Sequence, residues 1–133
     1  MSVVPDFFTV FEPIGDEAPI LVSSPHSGRY YPPKLLNDIC ISPEELRFME
    51  DLYTDELCVN STKSGATLLV ANYARAYLDL NRPLHSLDLK LIDGIKTSTY
   101  CPYSRAGIGL VARLVNKDNN IYRQKIPFSI PSP

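Results

Sequence analysis

A mixed α/β sheet, only partly built within 133 residues, is the fold this sequence predicts. Three observations carry that reading. The apolar run Pro19 to Ser24 has the composition of a buried strand and leads straight into turn chemistry at Pro25-His26-Ser27-Gly28. A capped amphipathic helix follows it. Runs suited to strands then return at Thr67 to Tyr73, Ala76 to Leu80 and Ile108 to Val115.

Ser42-Pro43-Glu44-Glu45 opens the helix, because serine can cap, proline fits the first helical position, and Glu45 stands three residues after the cap. Leu46, Met49, Tyr53 and Leu57 recur at three- and four-residue spacing, which predicts one helix of several turns from Pro43 to Lys63 with Gly65 as its stop. The runs Thr67 to Tyr73 and Ala76 to Leu80 lie close enough to form a hairpin or one kinked strand. Arg82 to Arg105 shows little periodicity and reads as an ordered loop with a single short helical turn at most. Twelve prolines and six glycines keep every piece short, and Pro131-Ser132-Pro133 continues neither helix nor sheet.

Thirteen Lys and Arg against fifteen Asp and Glu, a formal charge of -2, leave no basic surplus for a phosphate backbone, so no nucleic-acid partner is expected. The longest apolar runs fall far short of the ~20 residues that span a bilayer, so no membrane partner is expected either. Met1 to Glu12 lacks a basic start and is interrupted by Pro5, Asp6 and Glu12, which reads as neither signal nor transit peptide and makes the cytoplasm the expected location. Cys40, Cys58 and Cys101 have no CxxC spacing and are expected to be buried thiols.

His26 follows the first strand at a place where a ring nitrogen can face a cleft at the carboxyl end of the sheet. Alone it reads rather as a loop histidine satisfied by a backbone carbonyl, and a partner is what favours the functional reading. Glu50, Asp51 and Asp55 supply carboxylates on the helix; Asp51 and Asp55 share a face, and Glu50 points about 100° away. His26 with one of these carboxylates would make two of the three protein ligands that a catalytic zinc needs. The competing reading pairs Arg47 with Asp51 on an exposed helix face. Arg75-Ala-Tyr-Leu-Asp-Leu-Asn81-Arg82 places guanidinium and amide groups where the chain leaves the sheet. Asn81 and Arg82 suit a free carboxylate, and Arg75 suits a carbonyl oxygen. Pairing of these arginines with Asp79 or Asp88 is the alternative. Ser24 and Ser27 beside His26 suggest a serine hydrolase, but the GxSxG elbow is absent and sequence neighbours on a strand end point apart. His85 reads as a solvated loop residue.

Three blocks in order, Ser24-Pro25-His26-Ser27-Gly28 with Arg29-Tyr30-Tyr31-Pro32, Glu50-Asp51-Leu-Tyr-Thr-Asp55-Glu56-Leu57, and Arg75 to Arg82, resemble the N-formylglutamate amidohydrolase family. Ser104-Arg105, Ala106 to Val115 and Ile121 to Phe128 extend the resemblance over nearly all the chain from about Pro19. It implies a single domain of the zinc carboxypeptidase and phosphorylase-hydrolase-like type, related to aspartoacylase and incomplete here. Residues 1–18 would be an N-terminal arm and 129–133 a tail past the match.

The resemblance further implies zinc-dependent cleavage of N-formyl-L-glutamate, or a similar N-acyl amino acid, to formate and glutamate at the end of histidine degradation. His26 and Asp51 would hold zinc, with Glu50 as the next choice. Aspartoacylase-like enzymes carry a glutamate three residues after the histidine, where this sequence has Arg29. Asn81 and Arg82 would grip the substrate carboxylate, and Arg75 would steady the oxyanion. A later block, with an Asp-Cys-His-Ser-like motif and a general-base glutamate, does not occur in these residues. The sequence therefore reads as an N-terminal portion cut short by truncation or a frameshift, with a catalytically inactive remnant or a carboxylate-binding module as the alternative. In either case its sheet is expected to expose an apolar face.

Overall fold

The computed structural model describes residues 3–96 and 101–128. The tail 129–133 lies outside them, as do four residues of the loop read between Arg82 and Arg105. The chain runs β1 (Phe8–Phe11), β2 (Leu21–Ser24), α1 (Pro33–Asp38), α2 (Pro43–Leu46), α3 (Thr54–Cys58), β3 (Thr67–Ala71), β4 (Ile92–Asp93), α4 (Pro102–Arg105) and β5 (Ile126–Pro127). Two 3₁₀ segments, Arg47–Met49 and Val59–Ser64, extend α2 and α3.

β3 is the central strand, with order β1-β3-β2. It pairs parallel with β2, Ser24 against Val70, and antiparallel with β1, Phe8 against Ala71. It is paired along both edges, and its run Leu68 to Ala71 is continuously apolar. Leu68 and Val70 are buried on the face that α3 and its 3₁₀ extension cover. The alternate positions Phe8, Val10, Leu21 and Leu69 lie on the other face, where Phe8, Val10 and Leu21 are exposed. β4 and β5 make a separate parallel pair. The main apolar cluster lies away from the three-stranded sheet: Leu35, Ile39 and Leu46 pack with Ala76, Ala112 and Ile121.

The fold is α/β with a small mixed sheet, as the sequence predicts, but several elements differ. The expected Pro43 to Lys63 helix is two short helices with a break between them. Its start is as read: the Glu45 amide donates to Ser42 Oγ at 3.2 Å, and the Ser42 amide donates to Glu45 Oε2 at 3.0 Å. At Glu50 the backbone becomes extended, the Asp51 amide donates to the carbonyl of His26 at 3.0 Å, and Tyr53 takes a left-handed φ of 60° before α3 begins. The break leaves Tyr53 exposed and Leu57 79% exposed, so half of the periodic apolar residues do not reach the core.

Ala76 to Leu80 is a turn, because the Ala74 carbonyl takes up the Tyr77 and Leu78 amides. Ile108 to Val115 makes only isolated bridges, Ile108 with Ala112 and Leu114 with Asn120, since the chain folds back on itself at Gly107. β1 lies in the segment read as an arm, where alternation of Phe8, Val10 and Phe11 is blurred by apolar residues on both sides. Among the cysteines only Cys101 is buried; Cys40 is exposed and Cys58 is half-buried.

Candidate functional site

β2 and β3 are parallel, so both end on the same side of the sheet, and the groups singled out in the sequence collect beyond those ends. After Ser24 the chain turns through Pro25 and presents His26 inward, nearly buried. Gly28 permits this course. A Cβ there would stand 2.0 Å from the Tyr73 carbonyl oxygen, so only glycine lets the loop run against residues 72 and 73, where Tyr30 exchanges backbone hydrogen bonds with Asn72 and Ala74.

The His26 ring is held at both nitrogens. Nε2 lies 2.7 Å from Asp79 Oδ1, and Nδ1 lies 3.3 Å from Asp51 Oδ2. A carboxylate only accepts, so the short bond places the proton on Nε2. Asp79 is buried and also receives the Asn81 amide at 2.9 Å and Arg75 Nη2 at 2.9 Å. Burial alone would raise its carboxyl group; the hydrogen bonds from His26 and Asn81, with the charges of His26 and Arg75, outweigh that and hold it below the usual carboxylate value. Asp51, on the Nδ1 side of the buried ring, is 53% exposed at its side chain.

In the neutral ring with its proton on Nε2, Nδ1 carries a lone pair and faces a second acceptor, a pairing that a second proton, which makes the ring cationic, or a metal cation between them would satisfy. Two donors each ~2.0–2.2 Å from one tetrahedral ion stand roughly 3.3–3.6 Å apart. His26 Nδ1 and Asp51 Oδ2 therefore fit two corners of a zinc site. Among the described residues, no group of three His, Cys, Asp or Glu side chains is gathered that could hold a metal ion.

Glu50 turns away from this point. Its side chain is 2% exposed, accepts the Tyr31 hydroxyl, and stands 3.5 Å from Arg47 Nε. That ion pair replaces the Arg47–Asp51 pair weighed from spacing. Arg75 bridges the carboxylates, with Nη1 3.9 Å from Asp51 in addition to its bond with Asp79. Arg82 is largely immobilised. Nε donates to the Ile108 carbonyl at 3.0 Å, Nη1 donates to the Asn81 carbonyl at 2.9 Å, and the guanidinium lies 4.4 Å over the Tyr103 ring. Asn81 is exposed at the same end. His85 is exposed in its loop. Ser24 and Ser27 bond to each other at 2.8 Å and are buried, and the His26 nitrogens are engaged by aspartates rather than by either hydroxyl.

Asp79 is the residue that sequence reasoning undervalued, having been weighed only as a partner for arginine. Its signal is the Asp-x-Asn spacing, in which the side chain takes the amide two residues on.

The chain is similar to known proteins over most of its length. The N-formylglutamate amidohydrolase family model matches residues 18–130. The crystal structure of N-formylglutamate amidohydrolase from Ralstonia eutropha JMP134, at 2.00 Å resolution, is similar with a TM-score of 0.82 and 34% sequence identity. The match covers 90% of this chain and 43% of that one, so the chain spans less than half the length of the related structure. No curated protein matches the sequence.

Proposed function

Since the chain belongs to the N-formylglutamate amidohydrolase family, we propose that its site serves the zinc-dependent hydrolysis of N-formyl-L-glutamate, or a similar N-acyl amino acid, to formate and glutamate. Cytoplasmic histidine degradation is the setting this reading carries with it. The observation that supports it most is the His26 ring, fixed by Asp79 through Nε2 with Nδ1 turned to Asp51.

His26 Nδ1 and the Asp51 carboxylate would hold zinc. When bound, zinc supplies a lowered pKa for water and a Lewis acid for the amide carbonyl. Asp79 keeps the proton on Nε2 and so keeps Nδ1 free to act as a ligand. Arg75, held by Asp79 beside Asp51, places positive charge where the carbonyl oxygen becomes an oxyanion. Asn81 and Arg82 orient the substrate through its carboxylate. Arg82 is ordered in advance by Tyr103 and two carbonyls, which lowers the entropy cost of that grip.

A second reading has its own observation. Two donors leave an ion mostly water-bound, so the 133 residues alone would bind a carboxylate and turn it over negligibly. Formate release from N-formyl-L-glutamate with added zinc tests both readings. Negligible release by this chain is expected, with release on supplying the polypeptide that corresponds to the rest of the related enzyme. Absence of release in that assembly would contradict the enzyme reading, and robust release by the chain alone would contradict the two-donor account.

A further inference from the structure

Asp51 owes its place to the backbone that carries it. Its side chain is half exposed, and its carboxylate meets His26 Nδ1 at 3.3 Å and Arg75 Nη1 at 3.9 Å. Little packing fixes such a group, so the turn from Glu50 to Asp55 has to be held from outside. The loop that carries His26 does this at three points. The His26 carbonyl accepts the Asp51 amide at 3.0 Å, the Tyr31 hydroxyl donates to Glu50, and Arg29 grips Asp55 with both ends of its guanidinium, Nη2 to Oδ1 at 2.9 Å and Nη1 to Oδ2 at 3.2 Å. Tyr30 stands between these two side chains, bridged to Tyr73 and packed edge-on against its ring. The alternation of an extended backbone therefore sends Arg29 and Tyr31 to the opposite side, toward the turn.

Between Asp51 and Asp55 the chain passes through Tyr53, the only described residue besides glycines with a positive φ, at 60°. A bulky side chain takes this left-handed conformation only where its surroundings impose it. The Arg29 guanidinium lies 5.2 Å from the centroid of the Tyr53 ring while it holds Asp55, so one side chain restrains both the strained residue and the start of α3. A single-point ion pair on the surface would restrain little, but this one is bidentate, and the Asp55 side chain is only 19% exposed. We propose that Arg29 is a positioning residue: its fork on Asp55 and its contact with Tyr53 hold the turn that carries Asp51 against the His26 loop, so that the two donors stand 3.3 Å apart before any cation arrives. Its effect on zinc rests on the proposed role of His26 and Asp51 as donors; the clamp itself does not.

Amide hydrogen exchange and zinc titration of the 133-residue chain and its variants test this. In Arg29→Gln the Asp51 amide should exchange about tenfold faster while the amides of Thr67–Ala71 keep their rates, and zinc should bind about tenfold more weakly. Asp55→Asn should behave alike, and the two substitutions together should cost no more than either, as expected of one interaction. Arg29→Lys keeps the charge without the fork and should recover little. Lys34→Gln breaks the exposed ion pair with Asp38 on α1 and should leave both readouts unchanged. An Asp51 amide that keeps its rate in Arg29→Gln, faster exchange spread equally over β3, full recovery by lysine, or zinc held by Arg29→Gln as tightly as by the unaltered chain would each overturn the proposal. A faster Asp51 amide in Arg29→Gln, with zinc bound by neither that variant nor the unaltered chain, would uphold the clamp and count against His26 and Asp51 as zinc donors.

Discussion

His26 and Asp79 are 53 residues apart in sequence and meet through a 2.7 Å hydrogen bond from the ring Nε2 to a carboxylate oxygen, both side chains nearly buried. The bond ties the end of β2 to the turn after β3 and fixes which nitrogen of the ring faces Asp51. Asp79 is thus a positioning residue for His26, and three donors converge on it.

Asp79→Asn keeps the size of the side chain and removes the charge. It is expected to lower stability by about 1–3 kcal/mol and zinc affinity by about 10–100-fold, with His26 free to move its proton to Nδ1. Urea denaturation and zinc titration of the same variant check both. A variant with unchanged metal affinity would show that Asp79 does not set the ring's tautomer.

Stability should fall at both ends of the pH scale. The Asp79 carboxyl group is held low in the folded chain, so its stabilisation is present above the unfolded value of about 3.9 and is lost as pH falls through the folded value. Tyr122 is shifted upward by burial, with repulsion from Asp38 and Tyr77 adding to it. Its stabilisation is present below about 10 and is lost as pH rises beyond that. Urea midpoints should decline at both extremes, and Asp79→Asn should flatten the acid limb. A wild-type midpoint that stays level from pH 5 to pH 2 would contradict the assignment.

Gly28→Ala sets a methyl group against the Tyr73 carbonyl oxygen, where the backbone on both sides is hydrogen-bonded. The cost expected is about 3 kcal/mol or more, the upper end of overpacking effects. Thermal or urea unfolding measures it, and a loss below about 1 kcal/mol would mean the loop can shift away.

Arg82→Ala removes the charge aimed at the substrate carboxylate and also the stacking on Tyr103. Binding of N-formyl-L-glutamate, followed by NMR titration, should weaken at least tenfold, a loss of about 1.4 kcal/mol. Arg82→Lys should recover little, since a point charge does not reproduce the guanidinium fork. Full recovery by lysine would show that charge alone suffices.

The sequence reveals the groups of this site better than their connections. Ser42 and Glu45 declare the start of α2, because capping is a local rule; the Pro19 to Ser24 run declares a strand, but not the buried one it suggests, since β2 lies at the sheet edge with Leu21 66% exposed. The break at Glu50 escaped notice because Leu46, Met49, Tyr53 and Leu57 keep helical spacing whether or not the helix is continuous. What ends it is tertiary: the Asp51 amide bonds to His26, and Glu50 is drawn to Tyr31. The strands expected at Ala76 to Leu80 and Ile108 to Val115 failed for a related reason: most of their bonded amides find partners in local turns, and those of Asp79 and Leu110 make single bonds to the Leu110 and Ser86 carbonyls. Asp79 was visible as a residue, but its reach to His26 depends on two chain segments that only the fold brings together.

Zinc titration of the 133-residue chain and its single variants, by equilibrium dialysis, tests the pairing of His26 with Asp51 most directly. The account predicts one weakly held ion, lost in His26→Ala and in Asp51→Ala and retained in Glu50→Gln. Retention in Asp51→Ala with loss in Glu50→Gln would contradict it, and so would binding that survives the loss of His26.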